Sequence, residues 1–157
     1  MDQIARLQDT INKYIRNQGH TFGVFLDFKN AFDMMWRNGL LIKLKKLGIN
    51  GHMFDWIQDF LEERTLQVRV GRELSNIRTL ENGTAQGAII SPLLFICMIN
   101  DLPDVLTNTD TSLFADDSAI FKSSRNLECL QRSIQKGLDA VQSWCAEWAL
   151  QYPLKKL

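Results

Sequence analysis

Residues 112–121 read SLFADDSAIF, which places two adjacent aspartates, Asp116 and Asp117, between two short apolar runs. A third aspartate, Asp27, ends another apolar run at residues 22–26. Apolar runs of this length, bounded by polar residues, are typical of buried strands. Carboxylates beside buried strands are costly unless they are compensated, and a pair of divalent cations would compensate them. The sequence therefore predicts a metal site for phosphoryl transfer at Asp27, Asp116 and Asp117.

The bulk composition is that of one soluble globular domain. The chain has 157 residues, of which 45% are hydrophobic and 23% charged, and its 18 basic and 18 acidic residues cancel. A chain of this size can bury a real core. A complete nucleic-acid-binding machine usually has a basic excess, and neutrality counts mildly against one. The longest apolar run, residues 93–99, is too short to span a bilayer, so we expect no membrane partner.

The cysteine pattern favours a reducing compartment. Cys97, Cys129 and Cys145 are odd in number and lack CxxC or histidine spacing. We therefore expect reduced core thiols in an intracellular protein, with neither disulfides nor a zinc site. No secretory signal is visible, and cytoplasm and nucleus both remain open.

Periodic patterns predict an α+β fold. Apolar residues at helical spacing indicate helices, and alternating or short apolar runs indicate strands. The predicted helices span residues 2–18, 40–47, 54–61, 91–100 and 126–148. The predicted strands span residues 21–28, 66–70, 74–80, 111–116 and 117–122. Strands interleaved with helices favour an antiparallel sheet with helices on one face, whose acidic strand ends gather at one edge.

Local signals predict how three of these helices begin or end. Gly48 closes the second helix, and Asn50 caps the third. Ser91 caps the fourth, with Pro92 in its first turn. Because the fourth helix is apolar on all sides, we expect it to be central and buried. The glycine-containing residues 83–87 before it are predicted to form a flexible loop.

Three stretches, in order, resemble the catalytic motifs of reverse transcriptases of non-LTR retrotransposons, the LINE-like and jockey-like elements. Residues 26–33 (LDFKNAFD) resemble the first motif, residues 83–95 (GTAQGAIISPLLF) the second and residues 114–117 (FADD) the third. Residues 144–148 (WCAEW), followed by a lysine pair, resemble the segment leading into the fourth. The resemblance covers nearly the whole chain, and three ordered motifs are highly specific together.

The resemblance implies a polymerase palm that copies an RNA template into DNA from a DNA primer and deoxynucleoside triphosphates. Two Mg²⁺ ions, with Mn²⁺ as a substitute, would be held by Asp27, Asp116 and Asp117. Mg²⁺ prefers carboxylate oxygens, retained waters and substrate phosphates. Two ions roughly 3.5–4 Å apart can activate an attacking 3′-hydroxyl and stabilise the leaving pyrophosphate. The protein then contributes positioning and charge neutralisation.

The same resemblance implies the contacts with the nucleotide. The backbone directly after Asp27, at Phe28, would lie near the triphosphate. Phe32 would lie under the sugar, where an aromatic ring excludes a ribose 2′-hydroxyl. Gln86 and Gly87 would line the pocket against the template base and the incoming nucleotide.

The C-terminal lysines would complete the site by resemblance. Family members use a lysine near this place to donate a proton to the leaving pyrophosphate, which points to Lys155 or Lys156. The family usually has an asparagine before the proline of this segment, and Tyr152 stands in its place here.

Taken as a whole, the resemblance makes residues 1–157 a partial reverse transcriptase domain. It would be a palm with incomplete fingers and without thumb or endonuclease regions, cut from a larger polyprotein. Copying at a chromosomal target would need access to the nucleus. Its segments would be a leading helix at 1–20, the first catalytic motif at 21–35, a hairpin at 64–81, the Gln-Gly loop motif at 83–95, the Asp-Asp hairpin at 112–121 and a packing helix at 126–148.

Other interpretations stay open. Taken alone, Asp27 could be a strand-end carboxylate in a salt bridge, and an Asp-Asp pair is common in ordinary turns. The chain could also be a non-catalytic retroelement remnant that keeps the palm fold and at most binds nucleic acid or a partner protein. The polymerase of a group II intron or retron would share the chemistry, although the motif spacing and the 64–81 hairpin favour the LINE-like group.

Two further features carry competing interpretations. Asp33 is interpreted as structural, capping or pairing at the start of the next helix. Arg37, Lys43, Lys45 and Lys46 form a basic cluster that either contacts phosphates or is a solvated helix face.

Overall fold

A computed structural model describes residues 8–9, 11–12, 19–114 and 117–151. These residues form helices and antiparallel strands, which confirms the mixed α+β class. The predicted leading helix lies mostly outside the described residues, although residues 8–9 and 11–12 are helical. In chain order the labelled elements are β1 His20–Asp27, α1 Ala31–Met34, α2 Arg37–Lys46, α3 His52–Leu61, β2 Thr65–Leu66, β3 Arg69–Val70, β4 Glu73–Leu74, β5 Arg78–Thr79, α4 Ser91–Ile99, β6 Asp110–Phe114, β7 Asp117–Ser124 and α5 Leu127–Glu147.

The chain divides into two compact units. The first takes the described residues up to 29 and from 99 onward, and the second takes residues 30–98. Two short elements were not predicted: the four-residue helix α1 and a 3₁₀ turn at Leu102–Val105. No helix among the described residues combines the length and the apolar character needed to cross a membrane.

The first unit is built on a three-stranded antiparallel sheet with the order β1–β7–β6. Val24 of β1 lies opposite Ile120 of β7, and Leu26 lies opposite Ser118. Leu26 and Ile120 are buried, whereas Phe25, between Val24 and Leu26, is 77% exposed. Because side chains alternate between the two faces of a strand, β1 buries one face and leaves the other open.

Helix α5 supplies the apolar cover of this sheet. Asn126 caps it, since its side-chain oxygen accepts a hydrogen bond from the Cys129 amide at 3.0 Å. A β-carbon added at Gly137 would lie 3.4 Å from the Ile120 side chain, so the helix approaches β7 closely at this point. One stripe of the helix is buried, as expected for an amphipathic helix on a sheet. It consists of Leu130, Ile134, Gly137, Leu138, Val141, Trp144 and Cys145.

In the second unit, helix α2 ends where the sequence predicts. Gly48 has a φ of 84°, a left-handed conformation that glycine adopts without strain. The Gly48 amide donates to the Lys45 carbonyl, and the Ile49 amide donates to the Leu44 carbonyl, both at 3.0 Å. This paired bonding is the Schellman closure of a helix.

Helix α3 begins differently from the prediction. The residue before its first turn is Gly51, not Asn50, and it makes no side-chain capping bond. The Asn50 amide group instead donates to the Gly48 carbonyl at 3.0 Å. The proposed Asn50 cap is therefore wrong, because the side chain bonds to a carbonyl in the turn that follows α2.

Helix α4 is less buried than its composition suggests. Leu94, Phe95 and Met98 are buried, but Leu93 is 58% exposed and Ile96 is 46% exposed. The expectation of a central, buried helix therefore holds for one side of α4 only, because the described residues leave its other side exposed.

The predicted strand at 66–70 is divided into two short pieces. β2 pairs with β5, and β3 pairs with β4, as two separate antiparallel ribbons. Ser75 interrupts the ladder between them. Its hydroxyl accepts from the Val68 amide at 2.9 Å, and its own amide donates to the Val68 carbonyl at 2.9 Å. A side chain here takes the place of a backbone partner.

The loop predicted to be flexible is anchored to the segment that contains α1. The Gly83 amide donates to the Met35 carbonyl, and the Thr84 amide donates to the Phe32 carbonyl, both at 2.8 Å. A side chain adds to these backbone bonds, since Arg37 donates from Nε to the Gly83 carbonyl at 2.9 Å. Three residues thus hold the start of the loop in one place.

The far end of the same loop is held by hydroxyl groups. Ser91 donates from Oγ to the Ala85 carbonyl at 2.7 Å and shares a 2.8 Å hydrogen bond with Thr84 Oγ1. Both hydroxyl-bearing residues are buried. Ser91 was predicted to cap α4, but its hydroxyl bonds back to the loop instead.

The basic cluster is divided between buried and exposed residues, and Lys45 and Lys46 are exposed. Arg37 is 8% exposed and Lys43 is 3% exposed. Lys43 donates from Nζ to the Met98 carbonyl near the end of α4 at 2.7 Å. The ammonium group of Lys45 lies 4.6 Å from the centre of the Phe54 ring. Burial, with a smaller contribution from nearby Arg64, lowers the pKa of Arg37. Arg37 thus anchors the loop, and Lys43 bonds to the end of α4.

The cysteines also differ from the expectation of three core thiols. Cys145 is buried, Cys97 is partly exposed and Cys129 is exposed. Cys129 lies in the first turn of α5, on the side away from the buried stripe. Burial raises the pKa of Cys97, and it raises the pKa of Cys145 to about 11.

We predict that Gly83→Ala destabilises the protein far more than Gly87→Ala. Both glycines are left-handed, with φ of 82° and 87°. A β-carbon at Gly83 would lie 2.7 Å from the Asp33 carbonyl carbon and 2.8 Å from the Phe32 oxygen, whereas none at Gly87 would meet any atom within 4 Å. Backbone strain alone costs about 1 kcal/mol, and overlap with backbone should add about 2 kcal/mol at Gly83. Urea unfolding of both variants measures the difference, and equal losses would contradict the close approach.

We predict that thiol reagents at pH 8 label Cys129 first and Cys145 last. Only thiolates react, and the raised pKa of Cys145 keeps its thiol protonated. The contribution of this buried, protonated thiol to the free energy of unfolding should be complete below pH 9 and should be lost as the pH rises through about 11. Mass spectrometry of labelled peptides gives the order. Cys145→Ala should flatten the alkaline fall in unfolding free energy, and an unchanged fall would contradict the assignment.

Candidate active site

Two of the three predicted metal-binding aspartates occupy facing positions in the sheet of the first unit. Asp27 is the last residue of β1, Asp117 is the first residue of β7, and the two are paired in register. The next pair inward is Leu26 with Ser118, and both of these residues are buried. The apolar runs therefore anchor both strands up to the point where the acidic pair begins. The side chain of Asp27 is exposed.

The third aspartate, Asp116, lies outside the described residues, between Phe114 at the end of β6 and Asp117 at the start of β7. Phe114 and Asp117 are paired in register, so β6 and β7 are the arms of a hairpin. Among the side chains that the structure describes, no three His, Cys, Asp or Glu residues cluster in a way that could hold a metal ion. The predicted triad includes Asp116, which lies outside those residues.

The residue after Asp27 has a structural role in its side chain. Phe28 is 3% exposed and packs at a tilted angle against Trp144 of α5, with 6.5 Å between ring centres. Trp144 in turn donates from Nε1 to Asp101 Oδ1 at 3.2 Å. The next amide, that of Lys29, donates to the Gln151 carbonyl at 3.1 Å. At Phe28, any contact with a substrate would therefore come from the backbone.

In the second unit, three predicted nucleotide-binding residues come together. Phe32, Gln86 and Gly87 line one open cavity of about 470 Å³. Its volume lies within the range of roughly 300–1,000 Å³ that is usual for small-molecule sites. Ala88, Ser91 and Pro92 also line it, and among the described residues no charged side chain contributes. The ring of Phe32 is half-buried and packs against Phe95, with 5.4 Å between ring centres.

Gln86 is held by Asp33, a contact that the sequence did not predict. Its Nε2 donates to both carboxylate oxygens of Asp33, at 2.9 and 2.8 Å. Asp33 was interpreted as structural, capping or pairing at the start of the next helix, and in the structure it lies within α1 and accepts hydrogen bonds from Gln86. The two residues are 53 positions apart. No sequence periodicity links positions so far apart, so only their presence in two neighbouring motifs hinted at a contact.

The remaining predicted site residues belong to the C-terminal segment, beyond the part of the chain that the structure describes. Lys155 and Lys156, the candidate proton donors, and Tyr152 before them lie outside the described residues, which end at Gln151. Asp27 and Asp117 belong to the first compact unit, and Phe32, Gln86 and Gly87 belong to the second.

Comparison with known proteins agrees with the motifs. Residues 1–157 match the family described as reverse transcriptase (RNA-dependent DNA polymerase). The chain is 30% identical over 162 residues to the RNA-directed DNA polymerase from mobile element jockey of Drosophila melanogaster, covering 99% of this chain and 18% of that protein. It is 31% identical over 157 residues to a probable RNA-directed DNA polymerase from transposon BS of the same fly, covering 96% of this chain and 17% of that protein.

A solved structure has a similar fold. The structure of apo telomerase from Candida tropicalis, truncated from its C-terminal domain, superposes with a TM-score of 0.67 at 13% identity. The match covers 99% of this chain and 35% of that chain. The chain thus spans about a fifth of the curated relatives named above and about a third of the telomerase chain. By its family match over all 157 residues and its 30% identity to the jockey polymerase, the chain belongs to the reverse transcriptase family.

Proposed function

We propose that this chain is the palm of an RNA-directed DNA polymerase from a non-LTR retrotransposon. The observation that carries the proposal is the register of the sheet, which sets Asp27 directly opposite Asp117 at the end of two buried strands. Like charges in directly opposed positions destabilise a strand pair. A divalent cation bound between such residues would offset that repulsion, which is a reason for two aspartates to persist there.

The donor set suits the proposed metal. Asp27, Asp116 and Asp117 offer carboxylate oxygens, which are the ligands that Mg²⁺ and Mn²⁺ prefer. When bound, two such ions would activate the 3′-hydroxyl of a primer and stabilise the charge on the leaving pyrophosphate. The three aspartates would hold the ions and set their separation, and they would not take part covalently.

The cavity of the second unit would receive part of the incoming deoxynucleotide. Its lining is apolar apart from Gln86 and Ser91, which suits a sugar and a base better than a triphosphate. Phe32 is backed by Phe95, so its ring has little room to retreat from a bulkier sugar. We propose that this ring excludes the 2′-hydroxyl of ribonucleotides, and that Gln86 and Gly87 contact the base pair being formed.

The rest of the machinery is proposed to come from a longer polyprotein. The relatives are more than five times as long as the matched part, since the chain spans 18% of the jockey protein. Further fingers, thumb and endonuclease regions would grip the RNA template and the DNA primer, and the net charge of zero in this chain accords with that division. Lys155 or Lys156 would protonate the leaving pyrophosphate, and the product would be made with access to the nucleus.

We predict that Asp27→Asn removes primer extension by this chain on an RNA template with Mg²⁺ and deoxynucleotides. Loss of one metal ligand removes several kcal/mol of charge stabilisation, so the rate should fall at least about a hundredfold. Asp116→Asn should do the same. Asp59→Asn, at an exposed position of α3, is the matched control and should keep the full rate. Extension by Asp27→Asn at the control rate would show that the metal assignment is wrong.

The same assay separates the two candidate functions. If the unchanged chain extends no primer, and also binds neither Mg²⁺ nor deoxynucleotide by calorimetry, it acts as a non-catalytic remnant. Its family membership would be unaffected by that result.

We predict that Phe32→Val lowers the preference for deoxynucleotides over ribonucleotides by about tenfold or more. The smaller side chain leaves room for a 2′-hydroxyl, and a pocket contact of this size discriminates by roughly 1–3 kcal/mol. Phe32→Tyr keeps the ring and should keep the preference. Single-nucleotide incorporation with both substrates measures the ratio of kcat/KM values. An unchanged ratio in Phe32→Val would remove Phe32 from this role.

A further inference from the structure

A hydrogen-bonded pair lies at the rim of the cavity in the second unit. Gln86 donates from Nε2 to both oxygens of Asp33, at 2.9 and 2.8 Å, and Gln86 also lines the cavity. Both side chains are exposed. An exposed hydrogen bond contributes little to folding, because water replaces it at small cost. The hydrogen bond can nevertheless fix the orientation of the Gln86 side chain.

The pair determines which end of the Gln86 carboxamide faces Asp33. An ionised carboxylate is only an acceptor, whereas a carboxamide has a donor end and an acceptor end. Asp33 therefore selects the nitrogen, and the carbonyl oxygen of Gln86 is turned away from it. Without Asp33, the carboxamide could rotate by half a turn and present either end. With Asp33, the nitrogen end of Gln86 is held by the carboxylate through one N–H, and the carbonyl oxygen is the end that is turned toward other partners.

The backbone holds both partners in place. Asp33 lies in α1. The carbonyl of its neighbour in the chain, Phe32, accepts a hydrogen bond from the Thr84 amide at 2.8 Å. Thr84 is two residues before Gln86, and its hydroxyl is bonded to Ser91 at 2.8 Å. Gly83 fits against the Asp33 backbone so closely that a β-carbon would overlap the Asp33 carbonyl oxygen. The side chains of Asp33 and Gln86 thus meet because their backbones are already fixed, and the pair adds direction to a site that is already formed.

We propose that Asp33 is a positioning residue. It orients the Gln86 carboxamide so that its carbonyl oxygen accepts a hydrogen bond from an N–H or O–H group of the nucleotide in the cavity. The inference rests on the proposed function, since it takes a nucleotide as the occupant. It differs from a purely structural role, in which the pair would only tie α1 to the loop.

Four variants separate these roles. Asp33→Ala removes the orienting group. Asp33→Asn can still bond to Gln86 in either carboxamide orientation, so it keeps a tie but loses the direction. Gln86→Glu sets two carboxylates against each other. The double variant Asp33→Asn with Gln86→Glu restores a directed pair of reversed chemistry. In it the new carboxamide at position 33 donates to one oxygen of the new carboxylate at position 86, whose other oxygen remains an acceptor for the ligand. The net charge of this pair equals that of the natural pair.

We expect Asp33→Ala and Asp33→Asn to raise the KM for deoxynucleotide about tenfold in primer extension, with a smaller change in kcat. Gln86→Glu should be impaired at least as much, and the double variant should return to within about threefold of the natural chain. Thermal unfolding of all four should stay close to that of the natural chain. A natural KM in Asp33→Asn, or no recovery in the double variant, would overturn the proposal.

A second readout distinguishes this failure from failure of the proposed function. In the ¹⁵N-labelled chain, the side-chain amide signals of Gln86 should shift in Asp33→Ala without any nucleotide present. They should shift again when deoxynucleotide with Mg²⁺ is added to the natural chain. Absence of the second shift would count against the nucleotide and hence the proposed function. Absence of the first shift would show that Asp33 does not orient Gln86, and it would overturn the positioning role alone.

Discussion

The antiparallel pairing of β1 with β7 is the constraint on which the first unit depends. A slip of one residue would move every side chain of a strand to the opposite face. It would expose Leu26 and Ile120, which are buried, and would separate Asp27 from Asp117. The cost of exposing the core therefore maintains the register that brings the two aspartates face to face. The register that buries the core is therefore also the register that places the two aspartates opposite each other.

The second unit uses a different device to reach the same precision. Its loop has little secondary structure, so it is held by individual hydrogen bonds. At one end the loop amides donate to the Met35 and Phe32 carbonyls and Arg37 donates to a loop carbonyl, and at the other end the Ser91 hydroxyl donates to the loop. The cationic side chain of Arg37 is spent on carbonyl groups inside the protein. Arg37 and Lys43 are therefore buried, whereas Lys45 and Lys46 of the same helix are exposed. The guanidinium group that orders the loop is therefore not available on the surface.

The division of labour follows from these two devices. In the proposed function, the acidic residues of the sheet would hold cations, and the cavity, whose described lining is uncharged, would receive the less polar parts of a nucleotide. In a polymerase of the proposed kind, little covalent chemistry falls to the protein, and rate depends on where charges and rings are held. A chain with no net charge can hold both the charges and the rings in position, because each position depends only on the residues around it.

The sequence by itself determined the elements and the family. Short apolar runs and helical spacing predicted β1, β7 and α5 closely, since these elements bury a regular pattern, and the ordered motifs indicated a reverse transcriptase. Only the tertiary structure decided how side chains are shared between elements. Asn50 bonds to the Gly48 carbonyl instead of capping α3, Ser91 holds the loop instead of capping α4, and Asp33 meets Gln86 from 53 positions away. Each has several hydrogen-bonding options nearby in sequence, and the choice among them depends on contacts that no local pattern encodes.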